Sequence, residues 1–238
     1  MNTFIFDLDG TLLPMPDQQL FLDTYLNALK IKIAAHGIEP QMIIKAIWVA
    51  TGAMLKNDGS RTNEQRFWEV FENMVGEDAR GLEQVFEHFY RNEFIVAKDT
   101  TSTHPNAMEC IKALKEKNYQ VVLATNPVFP RIATLTRMEW AGLDPMDFCL
   151  ITTYENSSYC KPNLEYYKEI LGNINKQAND CIMIGNDVKE DMCAAHLGMD
   201  TFLLKDCIIC PEDMDMKDYR YGDFDDLLNI IKGLPSLT

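Results

Sequence analysis

Five short apolar runs, each about the length of a buried strand, constrain the fold of this 238-residue chain more than any other feature. They are Thr3–Leu8, Gln120–Thr125, Phe148–Thr152, Cys181–Gly185 and Thr201–Leu204. Short continuous runs of this kind suit strands buried on both faces, as in a parallel sheet covered by helices. The intervals between the last four carry helical patterns. Pro105 stands where a first turn would begin, and Ala107, Ile111 and Leu114 follow at helical spacing. Leu164, Tyr167 and Leu171 mark a second helix, and a third is expected from about Val188 to Leu197, closed by Gly198. Phe224, Leu227, Leu228 and Ile231 give a final amphipathic helix that should cover the sheet. The expected class is therefore α/β, with a Rossmann-like parallel sheet flanked by helices.

The interval between the first run and the second does not fit that rhythm. It exceeds a hundred residues, whereas an ordinary crossover needs about a dozen or so. Its pattern is helical: Phe67, Val70, Phe71 and Met74 repeat one apolar face, Leu82, Val85, Phe86 and Phe89 another, and Ile43, Ile47 and Met54 suggest a third. An all-helical cap domain is predicted at about residues 15–96, inserted into a core made of residues 1–14 and 97–238. Hinges are expected near Leu12–Pro16 and Ile95–Thr101.

Charge narrows the range of partners. With 36 acidic and 22 basic residues the formal charge is −14, a field that repels nucleic acid and anionic membranes. A phosphate site on such a chain must be made locally positive by a metal, a lysine or helix amides. The N-terminal residues lack the pattern of a signal peptide, and no apolar run approaches the ~18 residues of a membrane span. Seven scattered cysteines, an odd number, suit a reducing compartment. These features predict a cytoplasmic protein with no nucleic-acid or membrane partner.

The first run ends in Phe4-Ile5-Phe6-Asp7-Leu8-Asp9-Gly10-Thr11. Ligands of open α/β sheets bind at the carboxyl edge of the strands. An extended chain points Asp7 and Asp9 to the same side, so one carboxylate can attack phosphorus while the other protonates the leaving oxygen and later deprotonates water.

That run resembles the first motif of the haloacid dehalogenase-like hydrolase superfamily, and three further motifs follow in the family's order. Val122-Leu123-Ala124-Thr125-Asn126 is similar to the second, Lys161-Pro162 to the third, and Ile182-Met183-Ile184-Gly185-Asn186-Asp187-Val188-Lys189-Glu190-Asp191 to the fourth. The last three are weakly to moderately specific alone; their joint order carries the resemblance. It covers the whole core and accounts for the insertion as a helical cap.

The resemblance implies a phosphatase acting on a small phosphorylated metabolite through a phospho-aspartate on Asp7, with Mg²⁺ as cofactor. By it, Asp7 is nucleophile and metal ligand, and Asp9 gives its backbone carbonyl to the metal and its side chain as general acid and base. Thr125 and Asn126 would bind the phosphoryl oxygens, and Lys161 would offset the charge between nucleophile and phosphate. In the fourth motif Asn186 stands between the glycine and Asp187. The expected ligand is Asp187, four residues before Asp191, with Asn186 and Asp191 as auxiliaries. A first-turn helix acid is an equally good reading of Asp191.

Other features weigh less. Cys207 and Cys210 have metal-ligand spacing but lack a second pair, so loop thiols are expected. The four histidines are isolated, and Glu212-Asp213-Met214-Asp215 reads as a solvated loop. Lys56, Arg61 and Arg66 could reach the far end of a substrate from the cap, though solvated positions are the plainer expectation. Family dehalogenases lack the second aspartate and phosphonatases replace it, whereas Asp9 is present. A sugar-phosphate mutase is the rival enzyme, and a non-catalytic phosphate-binding regulator the rival of another class.

Overall fold

The computed structural model describes residues 1–237. Six parallel strands form one sheet in the order β3-β2-β1-β4-β5-β6. They are β1 (Thr3–Phe6), β2 (Gln120–Leu123), β3 (Leu150–Ile151), β4 (Cys181–Gly185), β5 (Asp200–Leu204) and β6 (Tyr221–Gly222). The central strand β1 sets Phe6 beside Leu123 of β2 and Ile184 of β4, so three strands reach the same carboxyl edge together. Five strands coincide with the apolar runs, most of them shortened. Beyond Phe6 the ladder persists only through Asp7 N to Ile184 O (2.9 Å) and Ala124 N to Phe6 O (2.7 Å), after which the chains turn into loops. The sixth strand, β6, has no apolar run to announce it.

Alternation along β1 builds two layers. Phe4 and Phe6 join a cluster that includes Ile111 and Leu114 of α5 (Pro105–Glu116) and Leu227 and Ile231 of α8 (Phe224–Lys232). Ile5 instead joins Val122, Met183 and the buried Tyr166, Tyr167 and Ile170 of α7 (Leu164–Ile174). The helix expected over Val188–Leu197 differs from observation: a 3₁₀ segment covers only Met192–Leu197, ended by Gly198 at φ +87°. The turn before it is wound by side chains. Asp187 Oδ1 accepts from the amides of Lys189 and Glu190, each at 2.8 Å, and Asp191 Oδ2 accepts from the amide of Asp187 at 3.0 Å.

Between β1 and α5 lie four α-helices: α1 (Gln18–Ala35), α2 (Pro40–Leu55), α3 (Asn63–Val75) and α4 (Gly81–Asn92). A 3₁₀ stretch, Glu93–Thr100, leads back toward the sheet. Helix α3 starts on a capping box between Thr62 and Gln65, and α1 on the side chain of Asp17, as the physics of unpaired first-turn amides requires. The two chain crossings lie side by side, with Ser102 N donating to Pro14 O at 3.0 Å. Aromatic contacts help tie this layer to the core: Phe94 packs on Trp140 with 5.0 Å between ring centres, and Tyr25 meets Phe129 edge-on at 5.7 Å.

Helix α6 (Arg131–Trp140), between β2 and β3, showed no clear apolar register in the sequence because its buried face mixes Ala133 and Met138 with Thr134 and Arg137. Among the described residues no helix is long and apolar enough to cross a membrane, and all seven cysteines are free thiols.

Candidate active site

Asp7, Asp9, Thr125, Lys161 and the loop after β4 all leave the sheet at its carboxyl edge, and the structure brings most of them into contact. At the centre is Lys161, almost wholly buried. Its Nζ donates to Asp7 Oδ1 at 2.8 Å and to Asp191 Oδ1 at 2.6 Å. Burial works against the ammonium, but the carboxylates of Asp191 and Asp7 outweigh it and hold Lys161 well above its ordinary value. Lys161 therefore stays charged. Burial pushes the Asp191 carboxyl up to about 7 against the pull of Lys161. Asp191 is thus a buried anchor for the lysine.

Thr11 ties the first motif to the fourth. Its hydroxyl lies 3.2 Å from Asp7 Oδ2 and 2.9 Å from Asn186 Oδ1, and Asn186 Nδ2 donates to the Cys207 carbonyl at 2.7 Å. Two glycines permit this closeness. A Cβ on Gly10, whose φ is +82°, would lie 2.4 Å from Asn186 Nδ2, and one on Gly185 would lie 2.1 Å from Asp191 Oδ2. Asp187 faces its own loop amides through Oδ1, so of the two neighbours Asn186 is the one joined to Asp7 through a shared hydroxyl.

Asp9 is held by a residue that the sequence did not single out. Arg137, buried on α6, pairs with Asp9 Oδ2, donates through Nε to the Ala133 carbonyl at 3.3 Å, and lays its guanidinium 4.3 Å from the centre of the Phe129 ring. Burial pushes the Asp9 carboxyl above its usual range, with Arg137 opposing. Asp9 Oδ1 and Arg137 Nη2 are both buried without a partner among the described residues. The only hint of Arg137 in the sequence is an arginine on a helix face otherwise built of small and apolar side chains.

Two adjacent tyrosines on α7 support the neighbouring loops. Tyr166 donates to the Thr125 carbonyl at 2.9 Å and Tyr167 to the Glu190 carbonyl at 2.8 Å. Thr152 donates to the same Thr125 carbonyl at 2.8 Å, fixing that strand end. Asn126 Nδ2 donates to Glu190 Oε2 at 3.1 Å, while its Oδ1 is buried with no partner among the described residues. Burial raises the Glu190 carboxyl, opposed by Lys161.

The remaining candidates lie elsewhere. Arg61 and Arg66 pair with Glu69 at 2.8 and 3.0 Å, Arg66 also approaches Asp58 at 3.6 Å, and Lys56 is exposed. Cys210 is exposed and Cys207 enters only through its backbone carbonyl. His36, His88 and His196 are exposed, and His104 stacks on Phe224 with 4.6 Å between ring centres.

The family model of haloacid dehalogenase-like hydrolases matches residues 1–197, a span that includes every side chain of this site. The chain belongs to that family. Among curated proteins this haloacid dehalogenase-like hydrolase is similar to pyrophosphatase PpaX of Anoxybacillus flavithermus, 21% identical over 201 residues, covering 84% of this chain and 82% of the relative. Among solved structures, a HAD phosphatase from Thermococcus onnurineus aligns over 100% of both chains at 16% identity with a TM-score of 0.61. A 2-haloacid dehalogenase from Pseudomonas syringae pv. tomato covers 97% of this chain and 98% of its own at 17% identity, with a TM-score of 0.63. Both likenesses establish a shared fold.

Proposed function

We propose that this hydrolase is a Mg²⁺-dependent phosphatase of small phosphomonoesters, with Asp7 as nucleophile. The observation that supports it most is the Asp7–Lys161–Asp191 chain at the sheet edge, a carboxylate aimed by a buried ammonium that is itself anchored by a second acid. A carboxylate held this way beside a permanent cation can receive a phosphate, whose approach would otherwise be repelled.

The residues present suit a hard cation. Asp7 Oδ2 and Asn186 Oδ1 converge on the Thr11 hydroxyl, so an anionic and a neutral oxygen lie close together. We assign Mg²⁺ to Asp7, the Asp9 backbone carbonyl and Asn186, with Asp187 shaping the loop and Asp191 acting through Lys161. Mg²⁺ keeps several waters and takes substrate oxygens, so few protein ligands suffice. When bound, it supplies positive charge to the phosphoryl oxygens.

The chain's own groups then carry the steps. Asp7 attacks phosphorus as the bond to the leaving oxygen breaks, and Asp9 gives that oxygen its proton. The ionised Asp9 next takes a proton from water, which attacks the phospho-aspartate and restores Asp7. Thr125, Asn126 and Lys161 hold the phosphoryl oxygens in line. The helical insert, residues 15–96, serves as the cap that keeps bulk water from the ester.

The test is phosphate release from a panel of phosphorylated metabolites with Mg²⁺ or with chelator. Turnover that needs Mg²⁺ and disappears in Asp7→Asn is expected. Undiminished turnover in Asp7→Asn would rule out the phospho-aspartate.

A further inference from the structure

A cavity of about 550 Å³ lies between the four helices of the insert and the loop that follows β2. Its size is that of a small-molecule site. It starts where the candidate phosphate cradle ends: Thr125, Asn126 and Pro127 run directly into Val128, Phe129 and Pro130, which form part of its wall. Phe129 has a second role, since its ring carries the guanidinium of Arg137, the residue that pairs with Asp9. The cavity wall is therefore one side chain away from the proposed acid.

The lining has an unusual chemistry. Eight of its side chains are aromatic, among them Tyr25, Trp68, Phe86, Phe129 and Tyr154. Its charged members are Glu64, Glu83, Glu87 and Glu155, and none is basic. Two of these acids already have a guanidinium: Arg91 pairs with Glu87 at 2.6 Å, and Arg80 lies 3.7 Å from Glu83 and 5.0 Å from the centre of the Trp68 ring. Arg61 and Arg66 pair with Glu69 outside the lining, which leaves Glu64 and Glu155 without an ion pair among the described residues. Glu155 Oε1 caps the amide of Arg131 at 2.7 Å, but its Oε2 is buried with no hydrogen-bond partner among the described residues. Burial raises the Glu64 carboxyl, and the nearby Glu155 and Glu83 raise it further against the pull of Arg80.

An anionic group would meet Glu64 and Glu155 with no basic side chain in the lining itself. A neutral apolar group would cover the rings yet leave the Glu64 carboxyl and the buried Glu155 Oε2 without a counter-charge, which is costly. A cation satisfies both features, because ring faces attract it through their quadrupoles and carboxylates through charge. We propose that the cavity receives the alcohol half of the substrate and selects an organic ammonium, a cationic amine carried on an apolar or aromatic frame. The substrate assignment rests on the phosphatase reading; the ligand preference of the cavity does not.

The test uses an isosteric pair on the full-length protein. Benzyldimethyl(2-hydroxyethyl)ammonium and its uncharged carbon analogue, 3,3-dimethyl-4-phenylbutan-1-ol, are titrated by calorimetry. The ammonium should bind about tenfold or more tightly than the neutral alcohol, and Glu64→Gln and Glu155→Gln should each remove much of that advantage while leaving the neutral alcohol unchanged. Glutamine keeps the Oε1 acceptor at 155, so α6 retains its cap. Equal or tighter binding of the neutral alcohol, or selectivity that survives both substitutions, would overturn the proposal. The phosphate monoesters of the same two alcohols are then compared by kcat/KM. Selective binding of the ammonium with hydrolysis of neither ester would uphold the cavity's preference and remove its role in phosphatase chemistry. Hydrolysis of both esters at equal kcat/KM would uphold the phosphatase and overturn the cavity's role in selection.

Discussion

Lys161→Met tests whether the buried lysine organises the site as the geometry implies. Methionine fills much of the same volume but removes the one cation that touches both Asp7 Oδ1 (2.8 Å) and Asp191 Oδ1 (2.6 Å). Lys161 and Asp191 are 2% and 1% exposed, so water cannot take the lysine's place without rearrangement. Breaking a buried pair by deleting one partner costs about 3–5 kcal/mol. For a chain of this size each kcal/mol lowers Tm by about 2–4 °C, so a fall of roughly 6–20 °C is expected at pH 8. The sign of the pH dependence follows from Asp191. Its carboxyl already sits near 7 rather than its ordinary 3.8, with Lys161 pulling it down. Without the lysine it rises further, so the folded variant holds a proton that the unfolded chain releases. Stability of the variant should therefore be greatest at the acid end of the window and decline as pH rises from about 4 through 7. Thermal melts followed by circular dichroism in chelator, from pH 5 to 8, measure both effects. A Tm within 2 °C of the parent at pH 8 would refute the argument, as would a deficit that deepens toward pH 5.

Three further outcomes are expected. Asn186→Ala should raise the Mg²⁺ concentration for half-maximal phosphate release more than Asp187→Ala does, because Asn186 shares Thr11 with Asp7; a magnesium titration showing the reverse order would return the ligand role to Asp187. Asp9→Asn should slow turnover of esters with poor leaving groups by ~10²–10⁴, and Arg137→Met, which frees the Asp9 carboxylate, should follow the same leaving-group trend. Equal losses on acetyl phosphate would contradict that role for both. Asn63→Ala should destabilise the chain by about 1–3 kcal/mol in urea unfolding, since the fully buried Nδ2 donates to the carbonyls of Pro127 (3.2 Å) and Tyr159 (3.3 Å); an unchanged midpoint would show that these bonds do not tie α3 to the core.

What the sequence determined by itself was whatever depends on local pattern. A strand buried on both faces must be apolar throughout, so five of the six strands stood out. A hundred-residue interval cannot be a plain crossover, so the extra helices before β2 stood out as well. The family's motifs are contiguous because a strand end and its loop are contiguous, and this put Asp7, Asp9, Thr125 and Lys161 within reach of reading. Tertiary structure decided what depends on residues distant in the chain. Arg137 reaches Asp9 across 128 positions from a helix whose mixed face hides its register. Whether Asn186 or Asp187 turns toward Asp7 could not be read from spacing. The choice depends on Thr11, 175 residues away, and on loop amides that engage Asp187. Arg61 and Arg66 show the same limit from the other side. Their charge was visible in the sequence, but the acids of the insert that pair with them are brought close only by folding, and what remains facing the cavity is aromatic and acidic.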